Sequence, residues 1–432
     1  MRSSLLGRVY AGGLLAIFGL IVLHAPLTVF LGTQLPNYDL LIKSWKEIFM
    51  ALLIPVAALY ISRNHAWKRL LKDPIIWLLG VYGAIHFALL AVHYQGAAPT
   101  LAGLAVDLRY VLFFTLVYGL LRVAPQYQTL FLKVGLIGAG IVIGFGVLQL
   151  FLPADILTHI GYGSHTIAPY LTVDDNPAFI RINSTLRGPN PLGIYAAIVL
   201  IVLFALWVKG TLTTPKQQLF AALLGGGSLV VLWITYSRSA LIAAIIGLLI
   251  VVLIRYRSAI RRWVWILGCA FLFILAGSMY IARDSAFVSN IILHNAANTG
   301  ASITSDEQHA ASLADGLRLM VQQPLGAGIG STGSASLQGG HPLVIENQYL
   351  FIAHEVGWLG LAVFLVLFVY IVKELWHRRS HWLALSMLAS GIGIGIVGLL
   401  QPVWVDDTVS IIWWGLAAVA LTREDGYAKK TK

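Results

Sequence analysis

Four arginines and one acidic stretch are the residues whose types and spacing point to chemistry. Arg181 and Arg187 lie in RINSTLRGPNPLG (181–193), Arg238 in YSRS (236–239), and Arg318 in an amphipathic run that follows a long polar segment. A guanidinium presents a planar fork of N–H donors that fits phosphate oxygens, so several on one face suit a diphosphate. Taken singly, each is equally a helix-end arginine whose stem lies along apolar surface. The acidic stretch is HPLVIENQYLFIAHEVGWLG (341–360), which joins a polar loop to an apolar run. Glu346 or His341 can act there as a general base, a role that depends on reach and pKa more than on residue type. Helical spacing puts Glu346, Ala353, Gly357 and Gly360 on one face, a carboxylate above a strip of small residues suited to close helix packing, with Glu355 opposite.

These residues must be held in a membrane. Of 432 residues 58% are hydrophobic and only 11% charged, in repeated apolar runs of spanning length, which excludes a soluble core and predicts an all-α, polytopic membrane protein. Spans are expected at 10–31, 41–62, 74–94, 99–121, 127–152, 191–208, 217–235, 239–254, 263–282, 347–373, 381–401 and 407–422, about twelve in a single integral membrane domain over 1–432. Arg2 and Arg8 precede a first apolar run too long for a signal-peptide core, so it reads as a retained span. Basic residues alternate between connections: Arg63, Lys68, Arg69 and Lys72, then Lys209 and Lys216, then Arg255, Arg257, Arg261 and Arg262, then Lys373, Arg378 and Arg379, and finally Lys429, Lys430 and Lys432. The positive-inside rule makes these connections and both termini cytoplasmic. The long connections 153–190 and 283–345 then face outward. The net charge of +11 reflects this topology and attraction to anionic membrane lipids, with no nucleic-acid partner implied.

Local signals refine the layout. One straight helix over 217–255 would be about 58 Å long, nearly twice the roughly 30 Å apolar core, so the segment crosses twice and Arg238 sits at an outer turn. The same reasoning places Asp406 and Asp407 at an outer turn. Asn190 and Pro191 read as the cap and first-turn proline of the sixth span. Residues 305–308 form a capping box for a surface helix with Leu313, Leu317, Met320 and Val321 at helical spacing up to Pro324. GAGIGSTGSASLQGG (326–340) is either a flexible linker or a loop whose backbone N–H groups meet an anion. Asp107 and Arg109 point to different sides of the fourth span and need partners on other helices; Arg109, with Tyr110, is a second candidate for ligand binding. Lys43, Lys46 and Glu47 make either a salt-bridged helix start or the lining of a binding site. The lone Cys269 excludes a disulfide framework and reads as a small buried hydrophobe. No motif calls for a metal or another cofactor.

The sequence resembles the O-antigen ligase and polymerase superfamily over residues 181–360. The carriers are R-x-x-S-T-x-R-G-x-N-P-x-G at 181–193, S-R-S-A-L at 237–241, R-x-M-x-x-x-P-L-G-A-G-I-G at 318–330, and the E-N-x-x-L run that ends in L-G at 346–360. The resemblance implies a GT-C-like glycosyltransferase of the bacterial inner membrane with a helical periplasmic loop region and a periplasmic active site. It further implies transfer of O-antigen from undecaprenyl diphosphate to lipid A-core oligosaccharide in lipopolysaccharide biosynthesis, without metal or nucleotide. Arg187, Arg238, Arg318, Arg181 and Arg109 would then bind the carrier diphosphate, and Glu346 or His341 would deprotonate the acceptor hydroxyl, with Asn347, Tyr349 and Asn190 in support. The family's last motif opens with His-Asn, whereas here Glu346 precedes Asn347, which leaves the base open between Glu346 and His341. A glycan polymerase is the nearest alternative. A solute or anion transporter is a third, although the chain shows neither an internal repeat nor paired broken helices.

Overall fold

The computed structural model describes residues 4–173, 175–256 and 305–422. Among these, eight helices are long and apolar enough to cross a membrane: Leu5–Gln34, Trp45–Arg63, Ala97–Val123, Pro125–Phe151, Pro189–Val208, Pro215–Ile234, Arg238–Tyr256 and Gln348–His377. Three shorter apolar helices, Pro74–Leu89, Trp382–Val397 and Asp407–Thr422, stand where three more spans are expected. The span expected at 263–282, with Cys269, lies outside the described residues, as does the start of the second long connection. The architecture is that of a multi-pass, mostly helical membrane protein.

Asp407–Thr422 is the centre of the bundle. Every residue from Thr408 to Thr422 is buried, and its neighbours include Ala97–Val123, Trp382–Val397, Pro189–Val208 and Gln348–His377. Trp413 and Trp414 anchor it, with ring centroids 5.1 Å from Trp404 and 5.0 Å from Tyr110 respectively. Large aromatic rings combine extensive apolar burial with a defined geometry, so this helix has little freedom to rotate. Glycines admit close neighbours elsewhere in the bundle. A Cβ on Gly393 would lie 2.6 Å from the Ala243 carbonyl oxygen, and that proximity brings Arg238–Tyr256 tightly against Trp382–Val397.

The turn expected near 237–239 is present. Pro215–Ile234 and Arg238–Tyr256 are separate helices joined through Tyr236, which has a φ of +48°. Basic residues share one end of the bundle: Arg69, Lys72, Arg122 and Arg378 line one cavity there. His24, Lys46, Arg109 and Asp407 line a separate cavity, in which Ala102, Ala105 and Arg109 of the Ala97–Val123 helix lie well before Arg122 at its last turn.

Four expectations need correction. The fold is not wholly all-α, because within the connection 153–190 Leu171–Val173 pairs antiparallel with Asn176–Arg181 in a small hairpin. The sixth span is capped by Gly188 with Pro189 in the first turn, two residues earlier than the expected Asn190 and Pro191. Glu346 precedes its helix instead of riding on it: Asn347 is the N-cap, and its side chain accepts from the Tyr349 and Leu350 N–H groups. That helix is also interrupted, since Gly357 has φ +70° and ψ −176°. Within the strip of small residues Gly357 therefore receives the loop at Pro324 and Leu325, while Gly360 faces Ile85 on the neighbouring Pro74–Leu89 helix.

Candidate functional site

A cavity of about 610 Å³ opens at the end of the bundle opposite the basic end. Its walls include the first two spans, the Ala97–Val123 helix, the start of Asp407–Thr422, and Ser334, Leu337 and Gln338 from the short helical turns Gly333–Ser336 and Leu337–Gly339. Four cations, Lys43, Lys46, Arg109 and Arg187, face three carboxylates, Asp39, Glu47 and Asp407. The excess positive charge suits an anionic ligand.

Asp407 is the centre of this charge cluster. It pairs with Arg109, lies 3.3 Å from Lys46 Nζ and 2.8 Å from His24 Nε2. Glu47 completes the set, 3.2 Å from Lys46 and 3.7 Å from Arg109. Trp45 Nε1 donates to His24 Nδ1 at 2.9 Å. An indole nitrogen only donates, so Nδ1 must accept and the ring proton resides on Nε2, aimed at Asp407. Lys46 and Arg109 are buried, and carboxylate partners on other helices offset the cost of taking these charges out of water. Lys43 is separated from this set: the helix breaks at Ser44, and Lys43 pairs instead with Asp39 at 2.7 Å.

Local chemistry explains how Asp407 is placed. Asp406 caps the last helix, its Oδ1 accepting from Thr408 N at 3.0 Å and Val409 N at 2.9 Å. Burial raises the Asp406 carboxyl above the usual range, against the opposing pull of the Val409 N–H and of Arg187. Asp407 follows in the first turn, where the helix dipole favours a negative charge. Asp406 itself lines a neighbouring cavity of about 320 Å³ together with Arg187 and Asn190. Arg187, exposed, belongs to both cavities.

The other residues singled out in the sequence fall into three places. Arg181, on the hairpin's second strand, donates to Thr235 O at 2.7 Å and to Asn190 Oδ1 at 2.6 Å, which ties the strand to the turn before Arg238. Arg318 lies on the Ser305–Gln322 helix, exposed and paired with Asp315 at 2.9 Å. Glu346, His341, Asn347 and Tyr349 line neither cavity. His341 is exposed on the loop beyond Gln338. The Glu346 N–H donates to Ser312 Oγ at 2.8 Å, and Asn347 Nδ2 donates to Leu399 O at 2.8 Å. Tyr349 donates from its hydroxyl to Gly395 O. Ile345, beside Glu346, packs with Val106 and Val405, so Glu346 stands close behind the walls that carry Arg109 and Asp406.

The glycine-rich segment is a fitted loop instead of a linker or an open anion nest. Gly326, Gly328, Gly330 and Gly333 all have positive φ. A Cβ on Gly326 would lie 2.6 Å from Gly357 N, so loop and broken helix meet backbone to backbone. The break lets Trp358 N donate to Pro324 O at 2.9 Å and Ala327 N to His354 O at 2.6 Å. Glu355 then takes the place an external anion would have: its carboxylate accepts from Thr332 N at 3.1 Å and from the Gly330 N–H. Glu355 also hydrogen-bonds Asp107, whose other neighbour is His86 at 3.8 Å. As expected from their phase on the helix, Asp107 and Arg109 find separate partners.

Residues 219–365 match the family model described as O-antigen ligase. The match covers about one third of the chain. It includes Arg238, Arg318, His341, Glu346 and Glu355, and it leaves Arg109, Arg181, Arg187 and Asn190 outside. No curated protein matches the sequence. Sequence reasoning missed His24, Glu355 and the role of Asp407 as a shared counter-ion. The only available signal for Glu355 was an ionisable residue inside an apolar run, which by itself marks a position in need of a partner.

Proposed function

We propose that the protein transfers a glycan from undecaprenyl diphosphate to the lipid A-core oligosaccharide, as a metal-independent, O-antigen ligase-type glycosyltransferase of the bacterial inner membrane with its site toward the periplasm. The observation that carries this reading is the positively charged cavity, with Arg109, Lys46 and Arg187 on its walls, beside a loop from the segment that matches the O-antigen ligase model. In this reading the donor diphosphate draws Arg109 and Lys46 from Asp407 and Glu47, and Arg187 reaches it from the exposed rim. Arg181 and Arg238 support the turn behind that rim, and Arg318 acts from the outer helix. Preorganised cations stabilise the charge that develops on a departing diphosphate. The acceptor hydroxyl oxygen forms a bond to the anomeric carbon as the bond to diphosphate breaks. Its proton passes to Glu346, whose place is fixed by the Ser312 contact and the Asn347 cap, or to His341. A single displacement inverts the anomeric centre.

The test is reconstitution of the full chain with carrier-linked glycan and lipid A core, with no nucleotide or metal added. Glycan appearing on lipid A core supports the ligase reading, whereas elongated carrier-linked glycan means a polymerase. Neither product, from folded protein, removes the transferase reading. Glu346→Gln is expected to abolish transfer and leave carrier binding intact, and His341→Ala to cost far less. The reverse result moves the base to His341.

A further inference from the structure

A second charged cavity, of about 270 Å³, lies at the basic end of the bundle. It opens between the start of Pro74–Leu89 and the ends of Ala97–Val123 and Gln348–His377. Arg69, Lys72, Arg122 and Arg378 line it, against only Asp73 and Glu374. The carboxylates are already engaged. Asp73 Oδ1 accepts from Ile75 N at 3.1 Å, and its Oδ2 accepts from the Tyr118 hydroxyl at 2.6 Å and from Arg122 at 2.5 Å. Glu374 Oε2 accepts from Arg378 at 2.5 Å.

The cations are not saturated. Arg122 and Arg378 each commit one terminal nitrogen, and Arg69 and Lys72 have no side-chain partner among the described residues. Arg122 is held in plane by Tyr118, 5.0 Å beneath it. The cavity thus offers free guanidinium edges and an ammonium group on a concave surface, arranged for a bidentate oxyanion.

Exposed tryptophans set the level of this cavity in the membrane. Trp77, Trp67 and Trp376 project outward around it. Trp77 Nε1 donates to Leu71 O at 2.6 Å, next to Lys72, and Trp376 stacks under Arg379 at 4.2 Å. Tryptophan collects where apolar core gives way to head groups, so the cavity lies at phosphate depth. We propose that it binds the phosphate of an anionic glycerophospholipid from the adjacent leaflet. Basic pockets between spanning helices hold lipid head groups by this chemistry. The proposal is independent of the reaction assigned to the opposite end.

The test uses the purified full chain in detergent, with its thermal unfolding midpoint followed during titration with phosphatidylglycerol, phosphatidylcholine or inorganic phosphate. Phosphatidylglycerol is expected to raise the midpoint, and phosphatidylcholine to leave it unchanged. Arg69→Gln with Lys72→Gln removes two exposed, unpartnered charges and should weaken the apparent affinity roughly 30-fold. A control pair of equal charge loss away from the cavity, Arg63→Gln with Lys133→Gln, should leave affinity near that of the unaltered chain. Equal weakening in the control, or an equal shift with phosphatidylcholine, overturns the proposal. If inorganic phosphate alone reproduces the shift with the same dependence on Arg69 and Lys72, the cavity takes soluble phosphate and the lipid assignment falls.

Discussion

Arg109 and Asp107 are two residues apart on one helix and belong to two different electrostatic worlds. Arg109 faces the large cavity, where it shares Glu47 and Asp407 with Lys46. Asp107 faces the interior, closed off by His86 and Glu355. In the first region the counter-ions are themselves exchangeable: an incoming anion can take over cations that Asp407 and Glu47 now hold. In the second, nothing can enter without displacing the loop that Glu355 holds by its backbone. Two carboxyls in a mutual hydrogen bond must share a proton, so the pair holds at most one negative charge, and the Thr332 N–H already donates to it: it works as a clamp and not as a charge waiting for a ligand. The comparison separates a site built for exchange from one built to hold shape.

The largest expected effect lies on the exchange side. Arg109→Ala should lower glycan transfer by about 100-fold or more, the scale of losing one preorganised charge-stabilising donor. Arg109→Lys should recover only part, because an ammonium lacks the fork. Turnover would be measured beside the folded fraction from size-exclusion chromatography. Near-normal transfer in folded Arg109→Ala would make Arg109 a structural charge and erase the contrast with Asp107.

On the closed side the effect should appear in stability. Glu355→Ala leaves the Gly330 and Thr332 N–H groups without their acceptor and should destabilise the protein by about 3 kcal/mol. Glu355→Gln keeps an oxygen for those donors and supplies an N–H to Asp107, so its unfolding midpoint should stay near that of the unaltered chain. If the glutamine variant melts as early as the alanine one, the loop depends on charge and not on hydrogen bonding.

The smallest effect sharpens the first region from within. Trp45→Phe removes the indole donor to His24 and should cost about 1 kcal/mol, the net worth of one hydrogen bond. Its specific signature is the His24 tautomer, read from the ¹⁵N shifts of the ring. Loss of the donor should release Nδ1 and bring in a second protonated form. An unchanged pattern would mean that Asp407 alone orients the ring.

Much of the framework was legible in the chain itself. Apolar runs fix where helices form, because a buried backbone in a membrane must satisfy its own hydrogen bonds. Length forced the double crossing over 217–255, and the phase of the helix sent Asp107 and Arg109 to opposite sides. Those are local properties, carried by neighbouring residues.

What only the tertiary structure decided is which distant groups meet. His24, Trp45 and Asp407 come from three separated helices, and no spacing rule links them. A glycine at 357 is equally compatible with a helix and with a break, and the Pro324 carbonyl arriving from a remote loop settles it as a break. The same loop makes Glu355, expected only on the face opposite Glu346, the clamp that shapes it. Helix rotation and the closeness of packing choose these partners, and both follow from burying the Asp407–Thr422 helix on all sides, a condition that exists only once the whole bundle has assembled.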